Sequence, residues 1–238
     1  ILDCMKLFTN DCEALFVERP NRFIVICDLK GERVRAHCPN PGRLQEILLP
    51  GTRLILQEAG DSGRKTPYTL VGAYYRDKII PLYSGKSNDL FEELILPLKF
   101  PLADAVKREF THGKSRLDFM VEEEGFQKLI EVKACTLVEE GTAMFPDAPS
   151  IRAVKHLHEL AELESPLKGE VCFVINHNDA ERFIPNMHTD PLLYTTLLDV
   201  KEKVRIHAVS VSLKPDGSAT LVNPDVPVLF PFDGASVN

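Results

Sequence analysis

Two apolar runs that carry charges in their middles constrain this chain more than any other feature. From Ser115 the sequence reads Ser-Arg-Leu-Asp118-Phe-Met-Val, passes through a Glu-rich polar stretch with Gly125, and continues as Leu129-Ile-Glu131-Val-Lys133. Leu117, Phe119, Met120, Leu129, Ile130 and Val132 are residues of partly buried strands, and the polar stretch predicts the turn of a β-hairpin. Side chains alternate along a strand, so Glu131 and Lys133 share one face while Val132 points into the opposite layer. If Asp118 faces them across the hairpin, two carboxylates and one ammonium converge in a half-buried place. Burying such groups is costly unless they are paired or bind a metal.

One resolution is chemistry. Asp118, Glu131 and the backbone carbonyl of Val132 are hard oxygen ligands of the kind that suit Mg²⁺ or Mn²⁺, ions that keep several of their waters. Such an ion lowers the pKa of a bound water and polarises a phosphate, with Lys133 stabilising charge beside it. The other resolution is an exposed sheet face with an ordinary Lys–Glu pair, against which the apolar flanks weigh.

The first 80 residues have a different texture. The runs Leu15–Arg19, Arg22–Leu29, Glu32–Cys38, Thr52–Glu58 and Tyr68–Tyr75 are short and alternating or β-branched, and Pro, Asn and Gly separate them. They predict a small all-β unit, a five-stranded barrel of the OB type. The formal charge of −7 argues against a nucleic-acid partner in bulk, yet residues 1–80 hold 12 Lys and Arg against 10 Asp and Glu. Most of those cations are Arg, the better phosphate fork. Within this unit His37-Cys-Pro-Asn40-Pro-Gly42-Arg43 is a tight connection that leaves amides and Asn40 free for a ligand, and Arg64-Lys65 beside Tyr68 offers cations next to a stacking ring. A plain turn and a basic hairpin tip are the competing readings of those two stretches.

After residue 80 helices and strands alternate. Asn88–Leu96 reads as a capped helix with early acids that Pro97 ends, and Val106–Phe110 as a short strand. Ser150–Leu163 reads as an amphipathic helix with Ile151, Val154, Leu157, Leu160, Ala161 and Leu163 inward, and Arg152, Lys155 and His156 at its start form a seat for phosphate. A buried strand from Glu170, a helix from Asp190 and strands from Val204 and Ala219 complete a mixed α/β sheet with helices on both faces.

Asp118 followed by Glu131-x-Lys133 resembles the metal-dependent nuclease core written PD-(D/E)xK. The wider set is similar to the sugar fermentation stimulation protein A family: Ser115-Arg116-Leu-Asp118-Phe119, Glu131-Val-Lys133, Phe145-Pro-Asp147-Ala148 with Arg152 and Lys155-His156-Leu157, His37-Cys-Pro-Asn40-x-Gly42, and Asn88 with Glu93. Pro41, Ile151 and Ala153 depart from the residues many relatives carry there. The resemblance implies an N-terminal OB-like barrel over residues 1–80, a nuclease-like α/β domain over 81–238, and non-specific binding of DNA, single- or double-stranded, with a role in regulating sugar (maltose) metabolism. It implies a catalytic set of Asp118, Glu131 and Lys133 with Glu93 as an accessory helical acid. DNA contacts are expected from Asn40, Arg43, Arg64, Lys65, Tyr68, Arg116, Arg152, Lys155 and His156. A regulator that keeps the nuclease fold without turnover is the alternative, and an RNA or small-molecule ligand in the same cleft a third reading.

Six scattered cysteines without a CxxC pair predict reduced, packed thiols and a cytoplasmic setting. No apolar run approaches the roughly 20 residues that span a bilayer, and no export signal is evident at the start. An exposed strand edge supporting a homodimer is a further expectation.

Overall fold

The computed structural model describes residues 4–60, 63 and 65–231. The first strand, β1 (Cys4–Lys6), belongs to the second unit, where it pairs with the last. The barrel is built from β2 (Cys12–Asn21), β3 (Ile24–Leu29), β4 (Glu32–His37), β5 (Arg53–Glu58) and β6 (Tyr68–Tyr75) in the order β4-β3-β2-β5-β6. It closes where β4 meets β6 in parallel, at Ala36↔Tyr68 and His37↔Thr69. Lys30 and Gly31, both with positive φ, make the two-residue turn whose twist suits the β3–β4 hairpin. Alternate residues fill the interior: Ala14 and Phe16, Val25 and Cys27, Leu54 and Leu56. This is the expected five-stranded OB-like barrel.

From β7 (Lys78–Pro81) the chain enters the α/β unit, and the pair Ile79↔Leu213 makes the two sheets continuous. A helical stretch comes first: α1 (Ser87–Leu90), a π-helical turn (Phe91–Ile95) and α2 (Leu96–Lys99). Pro97 does not end it. Pro97 sits in the first turn of α2, where a missing N–H costs little. Then follow β8 (Ala103–His112), β9 (Ser115–Glu123), β10 (Phe126–Cys135), β11 (Leu137–Glu139), β12 (Thr142–Phe145), α3 (Ile151–Ala161), β13 (Leu167–Ile175), β14 (Arg182–Pro185), α4 (Pro191–Val200), β15 (Val204–Leu213) and β16 (Ser218–Asn223).

The sheet runs β8-β9-β10-β13-β15-β16-β1, with β10, β13 and β15 parallel and the flanking pairs antiparallel. Glu124 and Gly125, at φ 53° and 78°, turn the central hairpin where the sequence predicts it. One face packs Phe119, Ile130, Val132, Cys172 and Val209 against Phe91 and Ile95 of the helical stretch. The other packs Met120, Leu129, Val171 and Phe173 against Val154, Leu157 and Leu160 of α3 and Leu193 and Leu197 of α4. Helices therefore cover both faces. Gly169 lets α3 come close to β13, since a Cβ there would lie 2.5 Å from the Leu160 carbonyl oxygen.

The phase of α3 differs from expectation in one respect. Ile151 is 81% exposed, and the inward row is Ala153, Val154, His156, Leu157 and Leu160. Ser150 caps the helix by accepting from Ala153 N at 3.2 Å. One edge of the sheet is β8, where Lys107, Arg108 and a positive-φ Glu109 keep it from presenting a flat template. All six cysteines are unpaired. Burial pushes the thiols of Cys27, Cys135 and Cys172 up to about 12. No helix among the described residues is long and apolar enough to cross a membrane.

Candidate active site

The site begins where β9 and β10 stop pairing. Their ladder runs from Phe126↔Glu123 to Ile130↔Phe119 and goes no further. Beyond it the Asp118 carboxylate replaces a backbone acceptor: Oδ2 accepts from Val132 N at 2.8 Å, and Oδ1 accepts from Asn88 Nδ2 of α1 at 2.9 Å. A buried N–H that the ladder abandons needs such a partner. Glu131 and Lys133 share a face, as a period of two requires, and form an ion pair. From α3, His156 Nδ1 comes within 2.7 Å of Glu131 Oε1, with its N–H turned off the linear hydrogen-bond direction. Glu131 Oε2 is buried and has no hydrogen-bond partner among the described residues.

The two carboxyls are pushed in opposite directions. Burial raises Asp118 above the usual range and the charge of Glu131 adds to this, outweighing the Val132 amide, Asn88 and Lys133. Glu131 also feels burial, but His156 and Lys133 more than offset it and hold its carboxyl below the ordinary value. Paired carboxyls with divergent affinities for protons are a recurrent mark of reactive sites.

Asp118, Glu131, Val132 and Lys133 all line one cleft of about 400 Å³, closed on the far side by Asn40, Pro41 and Gly42 of the barrel and flanked by Asn88 and Arg152. Both units build it. Arg19 fixes the barrel's contribution: its guanidinium donates to the carbonyl oxygens of Arg22 (2.8 Å), Asn40 (2.7 Å), Gly42 (2.7 Å) and Arg43 (2.8 Å). Asp147 reaches across from the α/β unit and accepts from Leu44 N at 3.3 Å. Ser84 Oγ donates to the Pro39 carbonyl at 2.9 Å. The contact at Gly42 is so close that a Cβ would sit 2.4 Å from Asp147 Oδ2. Gly42→Ala is therefore expected to turn the Asp147 carboxylate aside and break its bond to Leu44 N, at a cost of about 0.5–1.5 kcal/mol, the net value of one hydrogen bond. Urea unfolding measures this, and an unchanged midpoint would contradict it.

The expected DNA-contact residues divide. Asn40 and Arg152 line the cleft, and Arg152 has no ion pair among the described residues. Arg43 is exposed, with its carbonyl held by Arg19. Lys65 is exposed and Tyr68 half-buried on the barrel, and neither lines the cleft. Arg64 lies outside the described residues. Arg116 is exposed and paired with Glu109 at 2.8 Å. Lys155 donates to Ser115 Oγ at 3.2 Å, away from the cleft.

Two of the expected residues stand apart from the cleft. His156 is 5% exposed and does not line the cleft, because the inward row of α3 passes through it and its ring meets Glu131. Glu93 is exposed and outside the cleft, because Phe91, Leu94 and Ile95 take the core positions of the π-helical turn; Asn88 is the helical residue that reaches Asp118. Three roles were missed: Arg19 as the loop's anchor, Asp147 as the clasp between units, and His156 as the partner of Glu131. Only the second left a readable trace, in the pairing of a Pro-Gly turn with a distant Pro-Asp loop.

The residues fit a divalent cation of the magnesium type. No group of three or more His, Cys, Asp and Glu able to hold an ion exists among the described residues. Mg²⁺ does not need one, since it is usually held by one or two carboxylates and keeps its waters. Asp118 has lone pairs to spare beyond its two donors, Val132 lies beside it, and the unpartnered Oε2 of Glu131 is a buried anionic oxygen of the kind a cation would complete.

Comparison with known proteins bears on the whole chain. A family model described as the sugar fermentation stimulation protein RE domain matches residues 85–217, and one described as the SfsA N-terminal OB domain matches residues 17–82. The chain belongs to the sugar fermentation stimulation protein family. Among relatives in that family, a sugar fermentation stimulation protein homolog of Clostridium novyi (strain NT) is 40% identical over 78% of this chain and 83% of its own length. One from Clostridium botulinum (strain Langeland / NCTC 10281 / Type F) is 38% identical over 92% and 98%. Among solved structures, Pyrococcus furiosus SfsA, described as a complex with Ca²⁺, superposes with a TM-score of 0.84 at 28% identity, covering 94% of this chain and 99% of that one. The family match and the superposition establish the architecture of an OB barrel joined to an α/β domain.

Proposed function

We propose that this protein binds DNA by its backbone and cleaves phosphodiester bonds with Mg²⁺ or Mn²⁺ in the cleft between its two units. The carrying observation is that Asp118, Glu131 and Lys133 line that cleft together and that one oxygen of Glu131, Oε2, is buried with no hydrogen-bond partner among the described residues. The Ca²⁺ in the described complex of the Pyrococcus furiosus relative supports a divalent site in this fold. A bound cation would supply a polarised phosphate and a water of lowered pKa. Asp118 and Glu131 would hold it, with the Val132 carbonyl as a third oxygen. Lys133, more exposed than the His156 imidazole that also meets Glu131, can swing from Oε1 to a phosphate oxygen or an attacking water. Arg152 and the Asn40–Gly42 loop orient the strand across the cleft. The setting proposed is the cytoplasm, with a part in regulating sugar metabolism.

A second reading, a DNA-binding regulator without turnover, draws on a different feature. Lys133 is already committed to Glu131, and the cleft lining holds Asp118, Glu131 and Asp147 against only Lys133 and Arg152.

The test is incubation of the full chain with single-stranded and duplex DNA, in Mg²⁺, Mn²⁺ or EDTA. Metal-dependent cleavage supports the first reading. Binding that persists in EDTA without cleavage supports the second. In both, affinity is expected to fall steeply between low and physiological salt, because phosphate contacts release counterions. Salt-insensitive affinity would contradict any backbone contact.

A further inference from the structure

Glu131 has two oxygens in different circumstances. Oε1 meets both neighbours, the Lys133 ammonium along the strand and the His156 imidazole from α3, whereas Oε2 is buried with no hydrogen-bond partner among the described residues. The two neighbours are not equivalent. Lys133 reaches the cleft on a flexible stem and its side chain is 18% exposed; the His156 side chain is 6% exposed and does not line the cleft. It stands behind Glu131, at a cavity of about 10 Å³ that Glu131 and Lys133 also line, with Phe145, Phe173 and Leu193. That space holds a water at most. Apart from Lys133 on its own strand, the polar neighbour of Glu131 on the helix side, among the described residues, is the His156 imidazole. Ser150 as cap and Gly169 under α3 set the depth and rotation that bring His156 to this position.

We propose that His156 is a positioning residue, clamping Glu131 Oε1 from the helix side so that Oε2 is the oxygen presented to a divalent cation shared with Asp118. This rests on the metal-site reading above. It also explains why a histidine sits on the inward row of α3, where an apolar residue would otherwise pack. Outer partners of this sort orient carboxylate ligands, and their loss typically costs about 10–100-fold in metal affinity.

The test is Mn²⁺ titration calorimetry on the full chain, with thermal unfolding in EDTA beside it. His156→Leu fills similar space without a donor; it is expected to bind Mn²⁺ about 10–100-fold more weakly while unfolding in EDTA no earlier than the wild type. A residue of purely structural importance would show the reverse, early unfolding with unchanged affinity. Should His156→Leu fail to fold, His156→Asn and His156→Gln decide the matter. The Asn amide nitrogen lies near the Nδ1 position and the Gln nitrogen near Nε2, so the first retains affinity and the second loses it. Equal affinities for that pair, or wild-type affinity in His156→Leu, would overturn the clamp while leaving the site intact. Glu131→Gln is the control that separates the two ideas, because no Mn²⁺ binding by the wild type, or undiminished binding in Glu131→Gln, would overturn the metal site itself and the clamp with it.

Discussion

Asp118→Asn is expected to lower Mn²⁺ affinity and metal-dependent DNA cleavage by about 10³-fold or more, because a hard anionic ligand and several kcal/mol of transition-state stabilisation go with the charge. The same change is expected to stabilise the metal-free protein. Burial first, and then the charge of Glu131, raise the Asp118 carboxyl above its unfolded value. A group raised in this way favours folding at pH below its unfolded pKa, and that contribution is lost as pH rises through the folded value. At neutral pH an ionised Asp118 therefore works against the fold, and a neutral amide removes the penalty. The amide oxygen can still accept from Val132 N, and the Asn88 side chain can turn over to accept from the new amide nitrogen. Thermal unfolding in EDTA and in Mn²⁺ reads both effects. The wild type should gain stability with Mn²⁺ by mass action, whereas the variant should start higher in EDTA and not respond. A variant less stable in EDTA, or one that responds as the wild type does, would contradict this account of Asp118.

Arg19→Ala is expected to produce the largest loss of stability of any single change near the cleft, about 3 kcal/mol, since hydrogen bonds from a charged donor contribute about 1.5–3 kcal/mol each but do not add. Four carbonyls lose one guanidinium. Three of them, on Asn40, Gly42 and Arg43, belong to the loop that closes the cleft, so their release also loosens the seat of Asp147. Arg19→Lys should restore little, because a single ammonium cannot present the planar fork that reaches four acceptors. Urea unfolding measures the loss. A change within about 0.5 kcal/mol, the range of ordinary surface substitutions, would show that the loop holds its shape without Arg19.

What could be read from the sequence was what local rules control. The barrel strands follow from alternation between turn residues, and the shared face of Glu131 and Lys133 follows from a period of two. What could not be read depends on partners distant in sequence. β1 has three residues and no periodicity, so nothing announces its pairing with β16. Arg19 was counted as one cation among many, yet its acceptors lie some twenty residues away and are backbone atoms, which no side-chain pattern reveals. The phase of α3 was misjudged because Ile151 looks like a core residue; as the first helical residue it lies beyond the sheet, and the row that does face the sheet includes His156. The exposed position of Glu93 was hidden for a related reason, since the π-helical turn changes which side chains face inward. In each case the misplaced residue is charged, aromatic or apolar in the right local context, and tertiary packing decided otherwise.

Crystals soaked in Mn²⁺ and measured at the manganese absorption edge test the central claim most directly. One strong anomalous peak is expected in the cleft, about 2.0–2.3 Å from an Asp118 oxygen and from Glu131 Oε2, in the range of hard-cation coordination. A peak elsewhere, or none in the cleft at saturating Mn²⁺, would contradict it.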